Sequence, residues 1–165
     1  MRVAIIAALL VLLLVPMVGA QVEQGDKEVQ LQGSLFSVEG ITMVTISATY
    51  GYFVTPKMEW GGGPMISHVG SDFYDETNIS LTFFGRYNFV TGEKMVPYVS
   101  GQIYQYDLSP EEPMSFSDFT YLQAGGGFKY FLNDYVAYDV SGNLGFGLGS
   151  GDISLLIFGG ISAFF

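Results

Sequence analysis

The sequence contains no cysteine and a single histidine among its 165 residues. The lack of cysteine excludes a disulfide-stapled scaffold, a cysteine-ligated zinc site and lipid attachment through an N-terminal cysteine. Charged residues make up only 13% of the chain and hydrophobic residues 49%, which argues against intrinsic disorder because disorder requires low hydrophobicity and high charge. Basic residues are also scarce: six Lys and Arg accompany sixteen Asp and Glu. This balance excludes a nucleic-acid-binding protein that acts through basic patches.

The mean hydropathy of +0.36 is high for a soluble domain, although the formal net charge is −10. Part of this contrast comes from the N-terminus. The short basic start Met1-Arg2 is followed by a wholly apolar run at residues 3–15 and then by small residues that end at Ala20. This order is typical of a secretory signal peptide cleaved after Ala20, and an uncleaved anchor helix in the same place is the alternative. We therefore expect a signal peptide for the Sec pathway at residues 1–20 and a periplasmic lead-in at residues 21–27.

The remaining chain contains no second apolar run long enough for a membrane helix, which argues against a helical membrane protein. Instead, apolar and polar residues alternate, which is the pattern of β-strands. Near the C-terminus, for example, Ile153, Leu155 and Ile157 share one predicted face and Ser154 lies on the other. The alternation predicts eight strands of roughly ten residues, the length with which a tilted strand crosses a bilayer. They span residues 28–38, 41–54, 57–70, 77–90, 95–107, 118–132, 135–148 and 153–165.

The third predicted strand is the least regular, because Gly61-Gly62-Gly63-Pro64 interrupts its alternation. Proline has no N–H to donate to a strand ladder, and glycine weakens a strand interior. We therefore expect a bulge or a sharp bend in this strand, and the pattern leaves its register open.

Short and long connections alternate between the predicted strands, as they do in outer-membrane barrels. A soluble lipocalin-like barrel would also alternate, but it would point its apolar residues inward and its charges outward. Here one face of nearly every strand is free of charge, and the other carries small polar or aromatic residues. We therefore predict an all-β fold over residues 28–165, a closed eight-stranded antiparallel transmembrane barrel with up-and-down order and a lumen filled by side chains. The short turns lie at 55–57, 91–93 and 133–134, and the longer segments at 69–76, 108–117 and 147–152.

Several stretches resemble a known family. The segments Tyr52–Pro56, Pro97–Gln102 and Gly125–Asp134 are similar to strand and turn segments of small eight-stranded outer-membrane β-barrel proteins, the group of the OmpA transmembrane domain, OmpX and OmpW-like proteins. Phe165 is similar to the family's C-terminal assembly signal. The resemblance implies an integral protein of the bacterial outer membrane that contacts lipid and lipopolysaccharide. It also implies assembly by the outer-membrane insertion machinery and periplasmic chaperones, and a monomer without cofactor.

Four charged residues fall on the predicted lumen face, each a few positions from a short turn: Glu59, Arg86, Lys129 and Asp139. Because an unpaired buried charge is costly, we expect cross-strand pairs of Glu59 with Arg86 and of Lys129 with Asp139. The cluster has two interpretations: a polar plug that holds the interior together, or a gate or proton-conducting group.

Nine acidic residues and no basic residue fall in or beside the longer connections, which makes the outer face strongly negative. Such a rim either is simply solvated or offers oxygen ligands to Ca²⁺ or Mg²⁺. The positions considered for cation contact are Asp72, Asp75, Glu76, Glu111 and Glu112, and the other acids are Glu39, Asp107, Asp118 and Asp152. No metal site is assigned, and the spacing of the acids in residues 72–76 is not that of an EF-hand loop.

These features support three functional hypotheses. The first is a non-enzymatic barrel with an envelope-structural or surface-interaction role, and the second is a narrow porin-like conduit for small or hydrophobic molecules. The third is a lipid-modifying outer-membrane hydrolase that uses His68 with Ser67 or Ser71 and a nearby acid. Sequence neighbours on a strand or loop do not establish the hydrogen-bond geometry that such chemistry needs, so we assign no catalytic residue.

Overall fold

The structure of the protein, a computed structural model, describes residues 22–38, 41–71, 75–89, 93–105 and 120–165. Within these ranges the chain forms eight β-strands that close into one barrel in sequence order. All neighbours are antiparallel, and β1 pairs with β8 to close the sheet. The predicted closed eight-stranded barrel with up-and-down order is therefore confirmed. The strands are β1 (Lys27–Val38), β2 (Ile41–Phe53), β3 (Met58–Gly70), β4 (Asp75–Asn88), β5 (Met95–Gln105), β6 (Thr120–Asn133), β7 (Val136–Gly147) and β8 (Ile153–Phe164).

The alternation of the sequence sorts side chains between the lumen and the outer surface. On β4, Phe83 is 59% exposed, whereas its neighbours Thr82 and Phe84 are 6% exposed. Across the barrel, large apolar side chains cover the outside, and most buried side chains are polar or charged. This distribution is the reverse of a soluble domain and is the arrangement of a barrel whose solvent is lipid.

The bulge expected in β3 is absent from the described strand. β3 pairs with β4 in one continuous register from Met58 to Gly70. Its register against β2 is the same on both sides of Pro64, and pairing is only interrupted beside the proline. The glycines explain this regularity, since a Cβ on Gly63 would collide with the Ala48 carbonyl oxygen of β2. The described register shift lies instead on β6, between Phe131 and Asn133.

The connection between β3 and β4 is shorter than the sequence predicts. β4 begins at Asp75, two residues before its predicted start at 77, so the connection expected at 69–76 is reduced to the four residues between Gly70 and Asp75. At the opposite rim, the hydroxyl oxygen of Thr55 accepts a hydrogen bond from the Met58 N–H at 2.9 Å, which closes the turn between β2 and β3. The predicted signal peptide at 1–20 lies outside the described residues.

No helix in the described part of the chain is long and apolar enough to cross a membrane.

Candidate functional site

Five charged side chains meet inside the barrel near the rim that carries the chain ends. They come from five strands: Glu28 from β1, Glu59 from β3, Arg86 from β4, Lys129 from β6 and Asp139 from β7. All five are buried, and Arg86, at 5% exposure, is the most accessible of them. Their inward orientation follows from strand alternation, because each lies between two outward-facing neighbours. We call these five residues the lumen charge cluster.

Two carboxylates and two cations form the centre of the lumen charge cluster. The Arg86 guanidinium donates from Nη1 to Glu59 Oε2 at 2.9 Å and to Glu28 Oε2 at 3.3 Å. The Lys129 ammonium donates to Glu59 Oε2 at 3.1 Å and also to Glu28 Oε2. Each carboxylate therefore bridges both cations, and such charge-assisted bonds are stronger than neutral ones. The network ties β1, β3, β4 and β6 together across the lumen.

The expected pair of Glu59 and Arg86 is present, and these residues lie directly opposite each other in the β3–β4 ladder. The expected ion pair of Lys129 and Asp139 is wrong. The two residues are register partners, but the ion pairs of Lys129 are with Glu28 and Glu59. The physical reason is the narrow lumen of an eight-stranded barrel, which lets a long side chain reach strands on the far side.

Asp139 is held by neutral donors. The Tyr98 hydroxyl donates to Asp139 Oδ1 at 2.8 Å, and the Gln32 amide donates to the same oxygen at 3.0 Å. A buried carboxylate needs such hydrogen bonds in place of water. Asp139 thus joins β1 and β5 to β7.

The sequence analysis missed Glu28 as a member of the cluster. The sequence carries a signal for it, because the polar residues Gln30, Gln32 and Ser34 recur at every second position of β1 and the same period leads back to Glu28. Glu28 is the first residue of the predicted strand 28–38, where the face of a side chain is hardest to assign from alternation.

An apolar layer, which we call the lumen floor, lies inside the barrel on the side of the chain ends. It consists of the buried residues Phe53, Val96, Phe131, Ala137 and Phe164, and Val22 of the segment before β1 packs against it. That segment is anchored by a hydrogen bond from the Gly25 N–H to the Phe53 carbonyl oxygen at 2.9 Å. A charged layer and an apolar layer therefore lie next to each other inside the barrel.

Aromatic rings connect the lumen floor to the cluster. The Lys129 ammonium lies 5.4 Å from the ring centroid of Phe53 and 5.2 Å from that of Phe164. The Arg86 guanidinium lies 4.5 Å from the ring centroid of Tyr98. These distances suit cation–π attraction, which is strongest where water is excluded.

On the other side of the cluster, the lumen is lined by amides and hydroxyls rather than charges. The Gln102 amide donates to Asn143 Oδ1 at 3.1 Å, and the hydroxyls of Thr45 and Ser67 lie 3.2 Å apart. A cavity of about 30 Å³ lies here above Arg86. This volume is close to that of one water molecule in the liquid.

The acidic rim is only partly described. Asp75 and Glu76 lie at the start of β4, where Asp75 is exposed and Glu76 is half-buried. Asp72, Glu111 and Glu112 lie outside the described residues, as do Glu39, Asp107 and Asp118. Among the residues that the structure describes, no group of three His, Asp or Glu side chains could hold a metal ion. The proposed cation contact therefore stays a prediction.

The structure separates His68 from Ser67. The His68 ring lies 3.0 Å from the Thr77 hydroxyl and 3.9 Å from Asp75, on the exposed side of the barrel. Ser67 is buried, and its hydroxyl faces Thr45 in the lumen. These two residues point to opposite faces of β3, so they do not form a nucleophile–base pair.

Phe165 lies beside the first strand, at the rim that carries the chain ends. Its backbone exchanges two hydrogen bonds with Lys27, at 3.0 and 3.1 Å, and its ring is exposed. The Lys27 ammonium lies 5.9 Å from the centroid of that ring. The proposed role of Phe165 in assembly is compatible with this exposure and is not tested by it.

Comparisons with known proteins identify the architecture. No family model matches the chain, and no curated protein sequence matches it. Among solved structures it is similar to the N-terminal β-barrel domain of OprF from Pseudomonas aeruginosa, at 20% identity and a TM-score of 0.61, covering 86% of this chain and 98% of that one. It is also similar to Neisserial surface protein A, at 14% identity and a TM-score of 0.53, covering 86% of this chain and 95% of that one.

A designed protein has the same architecture. The likeness to a de novo designed transmembrane β-barrel has a TM-score of 0.56 at 14% identity, and covers 90% of this chain and all of the other. A fold that can be designed from first principles leaves activity open, so function has to be argued from the side chains. With its apolar outer belt and closed sheet, the chain is an integral membrane barrel with the fold of the eight-stranded outer-membrane β-barrel proteins.

Proposed function

We propose that the protein is a non-enzymatic barrel of the bacterial outer membrane, closed to solutes, that strengthens the envelope and presents an acidic surface outside. The observation that carries this proposal is the fully buried lumen charge cluster resting on the apolar lumen floor. The cavity above Arg86 has a volume of about 30 Å³. A lumen with that filling stiffens the barrel rather than conducting solutes.

The energetics of the cluster favour a permanent plug. Removing one partner from a buried ion pair costs about 3–5 kcal/mol, because it leaves a charge without compensation in a medium of low dielectric. Opening the lumen would require Arg86 and Lys129 to leave both Glu28 and Glu59, which share the same two cations. Such an arrangement resists opening more strongly than a single ion pair does.

The outer surface role rests on the charge of the rim. Asp75 and Glu76, together with Asp72, Glu111 and Glu112, are proposed to bind Ca²⁺ or Mg²⁺ and thereby to link the barrel to lipopolysaccharide phosphates. Isothermal titration of the refolded chain with Mg²⁺ tests this contact. Replacement of the acids by their amides should abolish binding, and equal binding by the amide variant would contradict it.

A narrow conduit is the second candidate, and the uncharged amides and hydroxyls above the cluster favour it. Swelling of liposomes that contain the folded barrel separates the two functions. We expect no swelling with a small neutral sugar or with glycine, whereas uptake of either would favour the conduit. Loss of the protein should also sensitise a diderm host to detergent with a chelator, and an unchanged sensitivity would argue against the envelope role.

A further inference from the structure

The lipid-facing surface of β3 to β6 carries a groove of about 870 Å³. Its floor is formed by Gly85 and Gly101, which lie opposite each other in the β4–β5 ladder. On β4, the exposed rings of Phe83 and Tyr87 stand on either side of Gly85. Four residues of strand separate their Cα atoms by about 13 Å. The missing side chain therefore opens a slot across the strand.

The neighbouring strands continue the slot. On β5, Val99 and Ile103 flank Gly101 in the same way as the two rings flank Gly85. On β3, Trp60 lies opposite Gly85, and a Cβ on that glycine would come within 2.9 Å of the Trp60 ring. The indole therefore lies over the glycine and closes the groove at β3. The result is an apolar channel with two walls and one closed end.

A positive charge adjoins the periplasmic end of the groove. Met58 lines this end, opposite Tyr87, and the exposed Lys57 precedes it directly in the turn between β2 and β3. A hydrogen bond holds the Lys57 backbone beside the end of β4, since the Lys57 carbonyl oxygen accepts from the Asn88 N–H at 2.8 Å, and the exposed side chain is free to reach the end of the groove. A ligand that fills the groove would therefore place its polar end beside an ammonium group.

We propose that this groove binds one anionic phospholipid of the periplasmic leaflet, with an acyl chain over Gly101 and against the Trp60 ring, and its phosphate at Lys57. A hydrocarbon chain matches the apolar walls, and a lysine near the membrane surface attracts an anionic headgroup. A second copy of this chain fits less well, because a symmetric pair of grooves would bring two Lys57 side chains together. The site is separate from the lumen and does not depend on whether the lumen conducts.

The test counts the lipids that the purified full-length barrel retains in detergent. The barrel is mixed with phosphatidylglycerol or with phosphatidylcholine of the same acyl chains and analysed by native mass spectrometry. We expect one retained phosphatidylglycerol and about a fivefold preference over phosphatidylcholine, the effect of one lysine near an anionic surface. Equal retention of the two lipids would overturn the headgroup assignment.

A matched pair of glycine variants tests the groove itself. Gly101 and Gly159 both face lipid, and neither has an atom within 4 Å of an added Cβ, but Gly159 lies on β8, away from the groove. Gly101→Leu should reduce retained phosphatidylglycerol about tenfold. The leucine side chain would fill the slot, and each 1.4 kcal/mol of binding free energy lost lowers the affinity tenfold. Gly159→Leu should leave it unchanged. Equal retention by the two variants would refute the proposal, as would a dimer that Gly101→Leu disrupts.

Substitution of Lys57 tests the proposal independently, because it changes an exposed side chain and no packing contact. It keeps the proposal testable if Gly101→Leu does not fold. Folding is checked by the shift of the unboiled band on a gel. Lys57→Gln should remove the preference for phosphatidylglycerol, whereas Lys27→Gln, at the same rim but on β1, two strands from β3, should keep it. An unchanged preference in Lys57→Gln would refute the placement of the phosphate.

Discussion

Replacing Lys129 by methionine should lower the free energy of unfolding by about 3–5 kcal/mol. The substitution keeps most of the side-chain volume and removes the ammonium, so Glu28 and Glu59 are left buried with Arg86 as their only cation. It also removes the cation–π contacts with Phe53 and Phe164. The magnitude is that of breaking a buried ion pair by removing one partner, and the lost ring contacts act in the same direction.

The assay is reversible urea unfolding of the barrel in lipid vesicles, followed by the fluorescence of the single tryptophan. Trp60 is a suitable probe because it faces lipid and is 55% exposed on the outer surface. Lys94→Met is the matched control: this lysine also lies over a ring, 4.8 Å from the centroid of Tyr130, but at the rim of the barrel. We expect it to change stability by less than about 0.5 kcal/mol.

A second substitution tests the cause. Glu28→Gln in the Lys129→Met background should recover part of the lost stability, because it removes the uncompensated negative charge. If Lys129→Met were no less stable than Lys94→Met, the buried network would not stabilise the fold and the reasoning would be refuted.

Three further predictions follow from the same geometry. Gly51→Ala should lower stability by about 1–3 kcal/mol, because its Cβ would collide with Glu59 Oε1, whereas Gly142→Ala, with open space, should be neutral in the same unfolding assay. Tyr98→Phe should cost about 1.5–3 kcal/mol through loss of the hydrogen bond to Asp139, and a neutral effect would contradict that bond. Deletion of Phe165 should slow assembly in cells, measured as the folded fraction on unboiled gels, while refolding into detergent is retained; equal folded fractions would refute an assembly role.

The strands could be predicted from sequence because a barrel wall imposes a strict period of two. Lipid on one side and a narrow lumen on the other make every second residue apolar, so the segments from 28–38 to 153–165 were recognisable individually. Strand ends were less certain: β4 runs from Asp75 to Asn88, whereas the alternation predicts 77–90. The low strand propensity of proline gave a wrong prediction. Pro64 predicted a bulge or bend, but the adjoining glycines allow β3 to keep its register.

Within the lumen charge cluster, only an ion pair between neighbouring strands of one hairpin could be predicted from the sequence. Glu59 and Arg86 are partners in one hairpin, so alternation and turn position suffice to join them. Lys129 instead reaches Glu28 across the lumen, and that contact depends on the stagger and diameter of the closed barrel, which no local pattern encodes. The groove on the outer surface was not foreseen either, because Gly85 and Gly101 become neighbours only through the β4–β5 register.

The current across a planar bilayer that contains the folded barrel tests the closed lumen most directly. We predict no conductance steps from the wild-type chain under an applied voltage, because we propose that the buried lumen charge cluster and the apolar lumen floor block the passage of ions. Reproducible steps of constant size from the wild-type chain would contradict a closed lumen and support a conduit.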